Sequence, residues 1–86
     1  MKNCEHFKPN DLKTAKAYEC EECVKLGDKW VHLRTCQTCG ETLCCDNSIN
    51  THATRHAMAT GHPVVISAEP GEKWAFCYED RLMMEY

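Results

Sequence analysis

Two Cys-x2-Cys pairs, Cys20-Glu21-Glu22-Cys23 and Cys36-Gln37-Thr38-Cys39, are followed by His52, His56 and His62. Zinc takes thiolate sulfur and imidazole nitrogen in tetrahedral sets of four. Cys-x2-Cys is a common spacing for half a set, because the turn points both sulfurs at one ion. Two such pairs with histidines downstream make a strong signal, where one pair alone would be moderate. Cys4, His6, Cys44, Cys45 and Cys77 enlarge the pool of candidate ligands. Spacing does not partition that pool: His52 and His56 share one helical face, and could serve one ion or lie on either side of two.

The rest of the chain must position these residues. Its 86 residues predict a single domain, 1-86, in which 1-19 form a polar, loop-like N-terminal segment. A domain of this size is marginal on hydrophobic burial alone. Structural zinc can supply roughly 10 kcal/mol or more in small fingers. Eight cysteines point to a metal or disulfide scaffold. The start Met1-Lys2-Asn3-Cys4-Glu5-His6 has no apolar signal-peptide core, and no run is long enough to span a membrane. The expectation is a cytoplasmic protein with reduced thiols, where Cys spacing favours metal over disulfides. A formal charge of -3 argues against a nucleic-acid partner, since fingers that bind nucleic acid present a basic face.

Leu12 to Tyr18 is compatible with a helical turn. Cys20 to Cys23 reads as a turn held by metal, and Gly27-Asp28 as a second turn. Trp30 to Arg34 reads as a short strand, and Thr42 to Cys44 as another. Asn47 or Ser48 can cap a helix running to about Thr60, with Gly61 as its stop. Val64 to Ile66 reads as a buried strand, Glu69 to Glu72 as a turn and Trp74 to Tyr78 as a final strand. Arg81 to Tyr86 is left as an amphipathic or covering tail. The predicted fold class is α+β: a small zinc-stabilised domain, its short antiparallel sheet packed with one main helix that carries the histidines.

From Cys20 to Tyr78 the chain resembles the ubiquitin-hydrolase-type (UBP) zinc finger, and most closely its compact stand-alone bacterial members. The residues that carry the likeness are the two Cys-x2-Cys pairs, Gly40, Cys44, His52-Ala53-x2-His56, Thr60-Gly61-His62-Pro63 and Cys77-Tyr78. The family's cross-braced pattern implies one Zn2+ on Cys20, Cys23, Cys44 and His52, and a second on Cys36, Cys39, His56 and His62. Members with three zincs join an N-terminal Cys-x-His to a late Cys-x2-Cys. Here Cys4 and His6 match the first half, and Cys77 is followed by Asp80 where the second Cys would stand. Asp oxygen also ligates zinc, so Cys4, His6, Cys77 and Asp80 form the expected third set. Cys45 is either a spare thiol or the ligand in place of Cys44.

Sets filled entirely by protein are structural, whereas catalytic zinc keeps one position open. No nucleophile elbow, phosphate loop or paired-carboxylate motif is present. The reading is therefore a binding module and not an enzyme, with a protein or peptide partner. The resemblance implies a pocket that in ubiquitin-binding members grips a free Gly-Gly terminus, using an Arg two residues after the third zinc Cys. That position is Asp46, which repels a carboxylate and argues against ubiquitin itself. Trp30, Arg34, Asp46, Phe76 and Tyr78 are the expected pocket residues. Two alternatives stand beside this one: a redox-driven zinc-release switch using Cys45 next to the Cys44 thiolate, and a zinc hydrolase built on an open third site.

Overall fold

A computed structural model describes His6, Phe7 and residues 12–86. The first helix, α1 (Glu21–Leu26), starts at Cys20, whose sulfur accepts the Cys23 backbone N–H. Glu21 and Glu22 in its first turn and Lys25 in its last suit the helix dipole, and Gly27 closes it in the left-handed region at φ 74°. The segment expected to be a turn is therefore a short helix. No helix forms over 12–18. Strands β1 (Leu33–Cys36) and β2 (Thr42–Cys44) form a hairpin, helix α2 (His52–Thr60) follows, and β3 (Val64–Ser67), β4 (Trp74–Cys77) and β5 (Leu82–Glu85) form a meander. The sheet order is β2-β1-β3-β4-β5, antiparallel throughout.

Three further elements differ from the sequence reading. β1 begins at Leu33 and not at Trp30. The Val31 N–H is drawn to the Ser48 hydroxyl at 2.8 Å, and the His32 carbonyl accepts from Cys45, which holds 31–32 against the 45–48 turn. Helix α2 begins at His52, because Ser48 is spent on Val31 and its own N–H turns back to the Cys45 carbonyl. The presumed tail is a fifth strand. Arg81 takes φ 51° in the tight turn after β4, and β5 then alternates, with Met84 1% and Met83 59% exposed.

Alternation also divides the sheet's two faces. Val64, Ile66, Ala75, Cys77 and Met84 form an apolar core on one face with Phe7, and Leu12 packs against them. Val65, Phe76 and Met83, which sit opposite one another across β3, β4 and β5, point to the other face. A second core gathers Cys20, Cys23, Leu33, Leu43, Cys44 and Ala53 where α1 and α2 meet the hairpin. Cysteine sulfur makes up half of that core, so the residues that could hold metal are also its packing. The sequence expectation of an α+β fold built on a short antiparallel sheet is met by five strands and two helices. No helix among the described residues is long and apolar enough to cross a membrane.

Candidate metal centres and an adjoining cleft

Three groups of side chains bring their ligand atoms within 4.8 Å of one another: Cys20, Cys23, Cys44 and His52; Cys36, Cys39, His56 and His62; and His6, Cys77 and Asp80. The first group joins the α1 N-terminus, the end of β2 and the first residue of α2. His52 Nδ1 lies 3.4 Å from the sulfurs of Cys20 and Cys23 and 3.5 Å from that of Cys44, and the Cys23 and Cys44 sulfurs are 3.8 Å apart. In the second, His56 Nε2 is 3.4 Å from the Cys39 sulfur and 3.2 Å from His62 Nδ1, which is 3.5 Å from the Cys36 sulfur. In the third, His6 Nδ1 lies 3.5 Å from the Cys77 sulfur and 3.2 Å from Asp80 Oδ2. Cys4 lies outside the described residues.

These separations can be tested against zinc. Zn–S bonds near 2.3 Å and Zn–N bonds near 2.0–2.1 Å at tetrahedral angles put two sulfurs about 3.8 Å apart, sulfur and nitrogen about 3.6 Å, and two nitrogens about 3.3 Å. Each pair above falls within a few tenths of an ångström of those spacings, so the donor sets fit zinc in both chemistry and size. His52 and His56 stand one turn apart on α2 and use opposite ring nitrogens, which sends one imidazole to each group.

The polar groups around the sulfurs differ between the first two sets. Around the first, the His52 backbone N–H reaches the Cys44 sulfur at 3.2 Å, and the Asn50 amide reaches the Cys23 sulfur at 3.7 Å. Behind the second, Glu41 Oε1 lies 3.4 Å from His56 Nδ1, the ring nitrogen facing away from the sulfurs. Burial raises the Glu41 carboxyl, the facing His56 ring opposes that, and Glu22 adds to the rise. Burial also raises the Cys20 and Cys39 thiols. Sequence reading missed Glu41, although its place directly after Gly40 and beside a ligand turn was a usable signal.

On the Val65–Phe76–Met83 face opens a cleft of about 210 Å³ bordered by Arg34, Asp46, Trp74, Phe76 and Tyr78 among others. Four of the five expected pocket residues meet there. Trp30 does not: it precedes β1 and packs against the Cys20–Cys23–Leu33 core. Trp74 takes its place, with the Arg34 guanidinium 4.4 Å above its ring. A period-two reading of β4 places Trp74 beside Phe76 on one face, and that signal went unused. Phe76 and Tyr78 meet edge to face at 5.0 Å. Asp46 accepts the Thr54 hydroxyl at 2.5 Å, and Thr54 Oγ1 is 3.3 Å from the Tyr78 hydroxyl. Cys45 lines the cleft and sits 3.7 Å from the Ser48 hydroxyl, while Cys44 joins the first metal-type group. Burial pushes the Cys45 thiol up, but Ser48, the Asn47 and His32 backbone and the Arg34 charge outweigh it and leave it lowered.

Residues 20–85 match the family model described as "Zn-finger in ubiquitin-hydrolases and other protein". No curated protein matches the chain. Among solved structures, protein RPA1320 from Rhodopseudomonas palustris, determined in solution by NMR, superposes with a TM-score of 0.86 at 47% identity, over 99% of this chain and 83% of that one. Sulfur–imidazole groups of zinc dimensions, the five-stranded sheet that carries them and a family match over most of its length place this chain in the zinc-finger family found in ubiquitin hydrolases and other proteins.

Proposed function

We propose that the chain is a zinc-built, non-catalytic module that receives a protein or peptide partner in the cleft beside Tyr78. One observation carries this reading: no residue of the three metal-type groups lines the cleft, which is walled by aromatic rings and two opposite charges. Four protein donors fill each of the first two sets, the arrangement of structural zinc. His6, Cys77 and Asp80, with Cys4, would hold a third ion. The redox reading is less well supported, because Cys45 meets the Ser48 hydroxyl and is not among the residues of the first metal-type group. An open hydrolytic site would need Asp80 free, whereas its carboxylate faces His6.

Two measurements on the zinc-loaded chain test the reading. Native mass spectrometry should count three zinc ions on the wild type and two on Asp80→Ala. Backbone and indole NMR signals, followed during titration with short unstructured peptides, should move at Arg34, Trp74 and Tyr78. Tyr78→Ala should abolish those shifts while keeping the zinc count. Peptide-induced shifts confined to the metal-type groups would sink the cleft reading, and three ions on both proteins would return the third site to the open, catalytic alternative. Ubiquitin is expected to leave the signals unmoved, since Asp46 stands where the resemblance puts the Arg that meets ubiquitin's Gly-Gly terminus.

A further inference from the structure

Arg34 and Asp46 border the same cleft, yet they form no ion pair; the ion pairs among the described residues lie elsewhere. Opposite charges that share a small cleft without meeting leave each free to take a charge from outside.

At one end, the Arg34 guanidinium sits over the Trp74 ring, 4.4 Å from its centroid, and gives one N–H, at 2.9 Å, to the Leu33 carbonyl. A guanidinium has five N–H groups in a planar fork, so this end remains a donor shaped for a carboxylate. The neighbouring carboxylate that feels its charge, Glu72, is already engaged by the Ser67 hydroxyl and the Trp74 indole N–H.

At the other end a hydroxyl has a single proton, and that of Thr54 goes to Asp46. The Tyr78 oxygen, 3.3 Å from Thr54 Oγ1, is placed as a second acceptor for that proton. What this end offers is the negative charge of the Asp46 carboxylate beside the Tyr78 hydroxyl. Phe76 and Tyr78 stand beside them as rings that attract a cation. The cleft is thus polarised, donor at Arg34 and acceptor at Asp46. Its volume of about 210 Å³ lies below the ~300–1,000 Å³ of pockets that enclose drug-sized molecules. That space suits a chain end and not a folded element.

We infer that the cleft selects a polypeptide C-terminus whose last residue is lysine or arginine, with the terminal carboxylate on Arg34 and the side-chain cation between Asp46 and the rings of Phe76 and Tyr78. This rests on the proposed cleft reading and narrows it to one ligand class.

The test uses the zinc-loaded full chain and four acetylated tetrapeptides: trialanyl-lysine acid, its amide, trialanyl-norleucine acid and tetra-alanine acid. Affinities come from NMR titration, read at the Trp74 indole and the Tyr78 signals. The lysine acid should bind best, and each of the other three should bind about tenfold or more weakly, as expected when a charge-assisted hydrogen bond is lost. Asp46→Asn should erase the preference for lysine over norleucine. Arg34→Gln should erase the preference for acid over amide. Unchanged zinc counts and spectral dispersion establish that both variants are folded. Equal affinity for the lysine and norleucine acids, with shifts still at the cleft, overturns the inference and leaves the cleft reading standing. Absence of cleft shifts with every peptide overturns both.

Discussion

Zinc held by three thiolates and one imidazole carries a net negative charge, whereas two thiolates and two imidazoles leave it neutral. The side chains around the two four-residue sets follow that difference. Backbone and amide N–H groups point at the sulfurs of Cys20, Cys23 and Cys44, where charge would accumulate. At the neutral set the added group is the Glu41 carboxylate behind His56, which fixes the ring's tautomer with Nε2 bare. Glu41→Ala should therefore weaken the second ion by about 10–100-fold, the usual loss when such a partner is removed, and leave the first unchanged. Competition with a chromophoric chelator measures both, and Glu41→Gln, which can still accept from the ring, should lose less. The raised thiols of Cys20 and Cys39 set a pH dependence as well. Thiols are protonated at neutral pH in the zinc-free protein, these two the more so for being raised, and zinc binds thiolate, so loading must displace protons and weaken as pH falls. Zinc binding followed at pH 6 and pH 8 should show the tighter affinity at pH 8, with proton release detectable by indicator dye. The ligand pool was legible at this scale because side-chain chemistry shows directly in sequence. Trp30 was misplaced, because which tryptophan faces the cleft depends on strand register.

Helix α2 begins under strain. Thr51 precedes it at φ 45°, in the left-handed region, without a side-chain cap. A β-branched residue there costs about 1–2 kcal/mol, and the conformation lets the next N–H reach the Cys44 sulfur. Thr51→Gly should therefore raise stability by about 1 kcal/mol, after the flexibility of glycine offsets part of the relief. Thermal melting of the zinc-loaded variant checks this. The fifth strand gives a paired test. Met84→Ala empties a buried site and should cost about 2–5 kcal/mol, while Met83→Ala on the exposed side should change stability by less than about 1 kcal/mol. Strands β2, β3 and β4 and the end of α2 were legible from composition and from Gly61. The strand at Leu82–Glu85 was not, since its alternation is short and its partner is defined only once β4 folds back on it. α1 was legible in principle, with acids in its first turn, Lys25 in its last and Gly27 as its stop. Reading Cys-x2-Cys as a turn hid it.

At the scale of the molecule, two kinds of core meet along one sheet. The β3–β4–β5 part has an apolar core of its own, from Val64 to Met84, while the hairpin and both helices pack around cysteine sulfur. The cleft straddles the boundary. Arg34 on β1, with Asp46 and Thr54 from the sulfur-built part, faces Trp74, Phe76 and Tyr78 from the apolar part. Chelation should therefore scatter the first group while leaving the second largely in place, and peptide affinity should fall with zinc content. Linkage makes the relation reciprocal: whatever a bound peptide gains from the metal, the metal gains from the peptide. A saturating cleft ligand should tighten zinc affinity, measured at equilibrium against a chelator, by the same factor that zinc removal weakens the ligand. A metal whose sets fit a purely architectural role would in that case be held more tightly by a working protein than by an idle one, and its equilibrium affinity would report whether the cleft is occupied.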